Sequence, residues 1–567
     1  MHSVRRIFTL VLLSVTTLAY SQQSLKGWHL LDFNTDKYNG ISLNRAYDFL
    51  KGKKGKPVIV AVIDGGIDTT HEDLKNVVWT NPKELSGNGI DDDGNGYVDD
   101  IHGWNFLGGK DGRNVAKASR EASRIYHSYK GRFSNRSLNV ATLADDEKAL
   151  YSLWKRASEL VEVKHEDKVE SMFLDVAYKA ARKNEKILKG EIKKEEFTIE
   201  EVENFMPVTQ QGKRAKYAYL TFVKIFDLEK TETNNTIFTE LQAAIEEKKD
   251  DISQKDTPPS DERNVIVRDN YSNINDRFYG NNDVMGPTPL HGTHVGGIIG
   301  AQRNNGLGID GIADNVKLMV IRAVPDGDEY DKDIALAIRY AVDNGAKVIN
   351  MSFGKEISPQ KMWVDDAVRY AETKDVLIVH AAGNEAENND SVNSFPSPEL
   401  TTLHMKASNF ITVGASSDPA INNDYVADFS NYGRSSVDVF APGIKIYSTV
   451  PGNHACRFEE GTSMAAPVVS GVAALIRSYF PELTAKQVKY VLTKSVNVLD
   501  STVKVTRPGT KEKVSLASLC SSGGWVNAYN AIKLAANMAN EKPEVQRKEV
   551  KKDLLPKSTF QNSLIKQ

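Results

Sequence analysis

The sequence predicts an α/β fold with three layers, in which helices cover both faces of a mostly parallel central sheet. Two regions, 57–109 and 262–535, share short apolar runs that alternate with helical stretches and Gly-rich turns. The stretch 110–261 between them is different, because it is rich in charge and poor in glycine and proline. We therefore predict one α/β domain, assembled from both regions and interrupted by a charged helical insertion.

Buried strands are the main indication of the parallel sheet. Residues 57–63 form an apolar run with no polar face, as in a strand that is covered on both sides. Residues 333–344 have apolar side chains at helical spacing, and Gly345 suits a helix C-terminus. Such strand–helix–strand repeats are typical of parallel sheets. Further apolar runs lie at 316–321, 348–351, 376–379 and 411–413.

The insertion, residues 110–261, has nearly balanced positive and negative charges. Its apolar residues recur at helical spacing, as at Leu150, Leu153 and Trp154. This pattern predicts amphipathic helices with solvated charged faces. Beyond residue 535 the chain is polar and Lys-rich, so we predict a flexible tail over 536–567.

The first 21 residues have the features of a signal peptide. Arg5 and Arg6 precede an apolar stretch over 7–19, and Ala19 to Ser21 offers a cleavage site. We therefore expect a secreted or periplasmic protein that leaves the membrane after cleavage. The segment 22–56 then precedes the first strand.

The composition excludes several classes of function. The 567 residues include 72 Lys and Arg against 75 Asp and Glu, for a net charge of −3. This balance argues against nucleic-acid binding through bulk positive charge and gives no general attraction to anionic membranes. The two cysteines, Cys456 and Cys520, are too few for a Cys-rich scaffold or metal site. In an oxidising compartment they either pair or remain free thiols.

Three motifs carry residues that are capable of nucleophilic catalysis. Asp64 ends the first predicted strand, where open α/β sheets place their sites. His291 begins a segment of very small residues, and Ser463 lies at a loop-to-helix junction. Pro467, four residues later, is expected in the first helical turn.

Each motif alone has a plainer interpretation. Asp64 could cap the next turn, and Ser463 could be a helix N-cap. His291 and His294 could bind a metal, but the zincin pattern also requires a Glu that is missing here. The three motifs together, in the order Asp, His, Ser, match the order of one known type of catalytic triad.

With these motifs in this order, the chain resembles the subtilisin-like serine proteases, or subtilases. The resemblance covers both α/β regions, about 325 residues, and skips the insertion. It implies the subtilisin-like three-layer sandwich and a serine endopeptidase that acts on proteins or peptides. The segments that strengthen it are 350–354, 381–385, 429–433, 441–443 and 523–528.

The resemblance also assigns roles to individual residues. It implies that Ser463 is the nucleophile, His291 its base and Asp64 the acid that orients the histidine. Asn384 and the Ser463 backbone N–H would bind the oxyanion. The substrate would pair with the backbone after one strand, and the absence of charge there suggests an apolar or aromatic preference. The walls of this pocket would be Ser352, Phe353 and Gly354 on one side and Ala382 and Gly383 on the other.

Two other functions remain open at this stage. One is a dedicated maturation protease with few substrates, for which acids in the substrate pockets would be the distinguishing feature. The other is a binding protein that uses the helical insertion while its protease core is silent. Neither requires a nucleic acid or a membrane as partner, and the sequence does not indicate an oligomeric state.

An acidic loop over 88–100 suggests a structural calcium ion. Asp91, Asp93, Asn95 and Asp99 match four positions of an EF-hand loop, and Gly96 stands at the turn. His102 stands where the EF-hand has a bidentate Glu, so the match is incomplete. The alternative is an Asx-rich surface turn that binds no ion. Calcium is common in subtilases, and the resemblance therefore favours the metal.

Overall fold

The computed structural model describes residues 26–540, except 136, 137, 227, 229 and 231. The predicted signal peptide and residues 541–567 of the predicted tail lie outside the described residues. The chain divides into two compact units. Of the described residues, the first unit comprises 26–118 and 262–540, and the second comprises those within Ser119–Asp261.

The strands all belong to the first unit. In chain order, β1 to β15 are Val58–Asp64, Gly103–Asn105, Val316–Arg322, Val348–Met351, Leu377–Ala381, Glu399–Leu400, Met405–Lys406, Phe410–Ser416, Val439–Pro442, Ile446–Thr449, Cys456–Glu459, Asn497–Val498, Val505–Thr506, Lys513–Val514 and Gly524–Trp525. Nine of them form the central sheet in the order β12-β15-β9-β8-β5-β4-β1-β3-β2. Its pairings are parallel except the one between β12 and β15. The predicted mostly parallel sheet is confirmed.

The α-helices of the first unit cover this sheet. They are Phe33–Asp36, Leu43–Leu50, Glu262–Ile266, Leu290–Gly300, Asp331–Asp343, Lys361–Thr373, Pro419–Asn422, Thr462–Tyr479, Ala485–Lys494 and Ala528–Asn540. Short 3-10 turns lie at Trp28–Leu30 and Leu516–Ser518. We call Leu290–Gly300 the histidine helix and Thr462–Tyr479 the serine helix.

Strand β1 shows how the sheet separates two cores. Val58, Val60 and Val62 contribute to the core that contains the serine helix. Ala61 and Ile63 contribute to the opposite core, against the helices Asp331–Asp343 and Lys361–Thr373. Because successive side chains of a strand point to opposite faces, an apolar strand can supply both cores. This confirms the predicted three-layer arrangement.

The second unit is helical, as the periodicity predicts. Its α-helices are Glu121–Phe133, Asp145–Leu160, His165–Ile192, Ile199–Asn204, Gln210–Ile225 and Asn234–Ser253, and a 3-10 turn lies at Val140–Thr142. Leu188, Phe197 and Tyr219 are almost completely buried in a core of its own. A second aromatic group includes Tyr126 stacked on Trp154. These cores explain why a highly charged stretch forms a compact unit.

Two predicted boundaries need correction. The compact inserted unit begins at Ser119 rather than at residue 110, because 110–118 stays with the first unit. There, the Ala118 N–H donates to the Asp326 carbonyl at 2.8 Å. The predicted tail begins too early as well, since the last helix continues to Asn540 and buries Ala536.

The segment before β1 is part of the first unit. Trp28 is completely buried, and its indole Nε1 donates to the Ile444 carbonyl at 3.0 Å. The Ala528 N–H donates to the Ile41 carbonyl at 2.7 Å. Within the described ranges, no helix is both long and apolar enough to cross a membrane.

Candidate active site

Asp64 and His291 form a hydrogen-bonded pair. Nδ1 of His291 lies 2.9 Å from Oδ1 and 3.0 Å from Oδ2 of Asp64. The carboxylate is buried, and its Oδ1 also accepts from the Gly65 N–H at 2.7 Å. Because Nδ1 donates to this acceptor, the other ring nitrogen, Nε2, is left as a base.

Close packing holds the histidine helix against the turn that follows β1. A Cβ on Gly292 would lie 2.2 Å from the Gly66 carbonyl oxygen and 3.2 Å from Cβ of Asp64. Only glycine allows this approach, because any side chain would push the helix away. The small residue next to His291 therefore brings its ring within reach of Asp64.

Arg322, which is completely buried, supports the same turn. It is the register partner of Asp64 on the neighbouring strand β3. Its guanidinium donates to the Gly65 carbonyl, to Oδ1 of Asn105 and to the Val115 carbonyl. Burial lowers the pKa of Arg322 to about 10, so it keeps its charge at neutral pH. The sequence did not single out this arginine, because its partners are mostly backbone carbonyls.

The pKa of His291 reflects two opposing effects. Desolvation lowers it, whereas the charge and the hydrogen bond of Asp64 raise it. The second effect prevails, and the pKa of His291 lies above its usual value of 6.5. The imidazolium that forms on proton uptake is thus stabilised by Asp64.

Two hydrogen-bond donors, the Ser463 backbone N–H and the Asn384 side-chain amide, lie beside Gly461 at the start of the serine helix. Gly461 precedes the helix with φ at 143°, a conformation that favours glycine. A Cβ on Gly461 would lie 3.5 Å from Nδ2 of Asn384 and 3.6 Å from the Ser463 backbone nitrogen. Both predicted oxyanion donors therefore border the same position, at the positive end of a helix dipole.

Thr462 sets the orientation of the Asn384 amide. Oδ1 of Asn384 accepts from the Thr462 N–H and from the Thr462 hydroxyl, each at 2.9 Å. The Thr462 hydroxyl in turn accepts from the Gly383 N–H at 3.2 Å. Since Oδ1 is occupied, Nδ2 is the donor group that Asn384 leaves beside Gly461. Sequence reasoning missed Thr462, although it stands directly before Ser463.

The Ser463 hydroxyl is held by a backbone carbonyl. Its Oγ donates to the Ser352 carbonyl at 3.0 Å. Among the described residues, the Ser352 carbonyl is the acceptor of the Ser463 hydroxyl. The hydroxyl must therefore rotate away from this carbonyl before it can donate to Nε2 of His291. The two helices that carry Ser463 and His291 pack against each other.

The predicted substrate-binding residues follow two adjacent strands. Ser352, Phe353 and Gly354 come after β4, while Ala382 and Gly383 come after β5, its parallel neighbour. These segments lie at the same edge of the sheet, as the resemblance implies.

An exposed carboxylate near this edge was missed. A Cβ on Gly383 would lie 2.6 Å from Oε2 of Glu385. The Asn431 amide donates to the same Oε2 at 2.7 Å and keeps it beside Gly383. The sequence predicts a substrate pocket without charged residues, but the structure has the Glu385 carboxylate beside Gly383.

Two of the predicted ligands in the acidic loop, Asp99 and Asn95, accept hydrogen bonds from the backbone. Oδ1 of Asp99 accepts from the Gly87 and Asn88 N–H groups, and Oδ2 accepts from the Gly89 N–H. Oδ1 of Asn95 accepts from the Tyr97 N–H, and its amide donates to Asp100. Both residues therefore stabilise backbone turns, and Asp99 lies outside the cluster of carboxylates described next.

Glu84 forms a cluster with Asp91 and Asp93, two of the predicted ligands. Three carboxylate oxygens, one from each of Glu84, Asp91 and Asp93, lie within 4.8 Å of one another. Glu84 is buried, and its Oε1 accepts from the Asp93 N–H at 3.1 Å. Its Oε2 is buried without a hydrogen-bond partner in the described part of the chain. An unsatisfied buried carboxylate oxygen beside two other acids fits a hard cation.

Comparison with known proteins identifies the family. The model of the subtilase family matches residues 55–515. The chain belongs to the subtilase family, a family of serine-type endopeptidases. It is 37% identical over 244 residues to the thermophilic serine proteinase of Bacillus sp. (strain AK1), covering 43% of this chain and 52% of that protein. It therefore spans about half the length of that relative.

The chain is also similar to other proteins over part of its length. Thermitase of Thermoactinomyces vulgaris is 35% identical over 243 residues, or 43% of this chain and 74% of thermitase. A solved structure of the prenylagaramide maturation protease PagA is 26% identical, covering 43% of this chain and 82% of that one, with a TM-score of 0.35.

Proposed function

We propose that this protein is an exported serine endopeptidase that hydrolyses peptide bonds through Asp64, His291 and Ser463. The observation that carries the proposal is the contact of 2.9 Å between His291 Nδ1 and Asp64, which leaves Nε2 as a base. The serine helix packs against the histidine helix, and the two proposed oxyanion donors lie near Gly461 at the start of the serine helix. This arrangement supplies a nucleophile, a base and an electrostatic site for the tetrahedral intermediate.

The reaction follows from these roles. Ser463 Oγ attacks the scissile carbonyl carbon while its proton passes to Nε2 of His291. The Asn384 amide and the Ser463 N–H bind the resulting oxyanion. His291 then gives the proton to the leaving amine, and a water molecule hydrolyses the acyl-enzyme by the same route. Asp64 stays ionised and stabilises the imidazolium throughout.

The substrate is an extended protein or peptide segment. Its backbone pairs with Ser352–Gly354, and its side chain before the scissile bond lies between this segment and Ala382–Gly383. The predicted signal peptide and the cell-wall-associated protease among the relatives support action outside the cytoplasm.

An active-site probe tests the proposal directly. A fluorophosphonate should label the wild-type protein at Ser463, whereas Ser463→Ala should be neither labelled nor active. The matched control is Ser518→Ala, since Ser518 is an exposed serine whose hydroxyl bonds only locally to the Ser515 carbonyl. Labelling that persists in Ser463→Ala, or full proteolysis by it, would refute the assignment. A protein that never labels would support the silent binding protein.

Glu385 keeps the maturation protease as a second candidate. An exposed carboxylate beside Gly383 would favour a basic side chain before the scissile bond. A set of peptides that differ only at this position, with Lys, Arg, Leu or Phe, distinguishes the two. A preference for Lys and Arg that disappears in Glu385→Gln indicates processing at basic sites, and a preference for Leu and Phe indicates general degradation.

We also propose that Glu84, Asp91 and Asp93 hold a structural calcium ion. The charge of three carboxylates and the unsatisfied Oε2 of Glu84 support this assignment. A bound ion would hold the loop by binding only the folded state. Calcium should therefore raise the unfolding temperature of protein treated with EDTA, and magnesium should do so less.

A further inference from the structure

The first turn of the serine helix lacks one of its own hydrogen bonds. Pro467 is the sixth residue of this helix, one turn later than predicted. Proline has no N–H, so the helical bond from residue 467 to the Ser463 carbonyl cannot form. The carbonyl group of the proposed nucleophile therefore needs another donor.

Ser352 is that donor. Its hydroxyl donates to the Ser463 carbonyl at 2.9 Å, and it is 3% exposed. In the reverse direction the Ser463 hydroxyl donates to the Ser352 carbonyl at 3.0 Å. Two reciprocal hydrogen bonds thus connect the nucleophile to the segment proposed to bind the substrate backbone.

A relay of buried groups fixes the direction of the Ser352 proton. The Ser470 hydroxyl donates to Oδ1 of Asn350 at 2.8 Å, and Nδ2 of Asn350 donates to Oγ of Ser352 at 3.0 Å. Because Ser352 Oγ accepts from an amide there, its own proton is free to point at Ser463. Asn350 and Ser470 are both completely buried, so water does not compete.

We propose that Ser352 and Asn350 are positioning residues that set the place of Ser463 by replacing the helical hydrogen bond that Pro467 removes. The relay begins on the serine helix at Ser470, crosses to β4 and returns to the same helix at Ser463. It therefore fixes the first turn of the helix, which carries both the Ser463 hydroxyl and its oxyanion N–H. This inference rests on the proposed function, because it assumes that Ser463 is the nucleophile.

A double-mutant cycle tests the relay. Ser352→Ala leaves the buried Ser463 carbonyl without a donor, and kcat should fall roughly tenfold or more, with a smaller change in KM. Pro467→Ala restores the missing backbone N–H and alone should change kcat by less than about threefold. In the double variant the N–H replaces the lost hydroxyl, and at least half of the logarithmic loss should be recovered.

A second readout separates positioning from substrate binding. Ser352 also lines the substrate site, so the rate of Ser463 labelling by a small fluorophosphonate is measured in each variant. It should fall and recover in parallel with kcat. Ser352→Cys, which keeps a side chain of similar shape but a weaker donor, should give an intermediate rate and covers the case in which Ser352→Ala does not fold.

Two results would overturn the inference. One is a labelling rate in both Ser352→Ala and Ser352→Cys that equals the wild-type rate. The other is a double variant, Ser352→Ala with Pro467→Ala, whose logarithmic loss of kcat equals the sum of the two single-variant losses. Failure of the proposed function is distinguishable, because it appears as labelling or proteolysis that survives in Ser463→Ala.

Discussion

The candidate active site and the acidic loop both contain buried carboxylates, but they hold them differently. Asp64 ends a strand whose backbone bonds are made within the sheet, and its side chain accepts from one neighbouring N–H, that of Gly65, while it orients His291. In the loop, Asp99 binds three backbone N–H groups of residues 87–89. A side chain at the end of a regular strand has few backbone groups to satisfy, whereas side chains in an irregular loop satisfy many more of them.

The largest effect that this comparison predicts is at Asp64. Asp64→Asn replaces the acceptor for His291 Nδ1 with an amide that can favour the wrong tautomer, and kcat should fall by about 10⁴-fold. The measurement is steady-state hydrolysis of a chromogenic peptide. Asp68→Asn is the control, because this acid lies four residues later and binds Thr70 and the Gly452 N–H. A comparable loss in that variant would mean that the segment needs its acids only for folding.

A smaller loss is expected from the oxyanion site. Asn384→Ala removes one of two donors that act mainly on the developing oxyanion, so kcat should fall by roughly 10²–10³-fold with little change in KM. Thr462→Val should lower kcat less, because it only loosens the Asn384 amide, and Thr462→Ser should restore it. A defect expressed mainly in KM would instead assign Asn384 to ground-state binding.

The same comparison explains what the sequence could predict. The sequence indicates Asp64, His291 and Ser463 because each stands at the end of a regular element among small residues, and the family resemblance adds Asn384. Thr462, Asn350 and Arg322 were not identified, since hydrogen bonds between distant residues follow from the fold rather than from spacing. Ser352 was identified only as a pocket residue, because its hydroxyl bond to Ser463 depends on the missing N–H of Pro467.

The boundaries that were predicted less well have a similar cause. Composition indicates where charge begins, at residue 110, but 110–118 stays in the first unit through backbone bonds such as Ala118 to Asp326. In the acidic loop, Glu84 lies outside the motif that resembles an EF-hand. A carboxylate that the fold brings in from a position before the motif cannot be predicted from the spacing inside the motif.

The pH dependence tests the Asp64–His291 pair in the intact protein. Only neutral His291 accepts a proton from Ser463, so kcat/KM should rise with pH through the raised pKa of His291, above 6.5. Asp64→Asn should shift this rise to lower pH, since the charge that raises the pKa is gone. The pair should stabilise the fold mainly below the unfolded pKa, and that contribution should be lost as pH increases through the folded pKa. A rise that does not shift in the variant would contradict the coupling.

The smallest expected effect concerns the acidic loop. Glu84→Gln removes a charge whose Oε2 has no protein partner in the described chain, so it should reduce the gain in unfolding temperature that calcium gives to EDTA-treated protein. The loss should amount to a few degrees in thermal unfolding followed by circular dichroism. Asp92→Asn is the matched control, because Asp92 binds the Leu85 N–H and the Asn88 amide and lies outside the cluster. It should lower the unfolding temperature equally with and without calcium. If Glu84→Gln also lowers both equally, Glu84 serves the backbone as Asp99 does, and the loop is an Asx-rich turn.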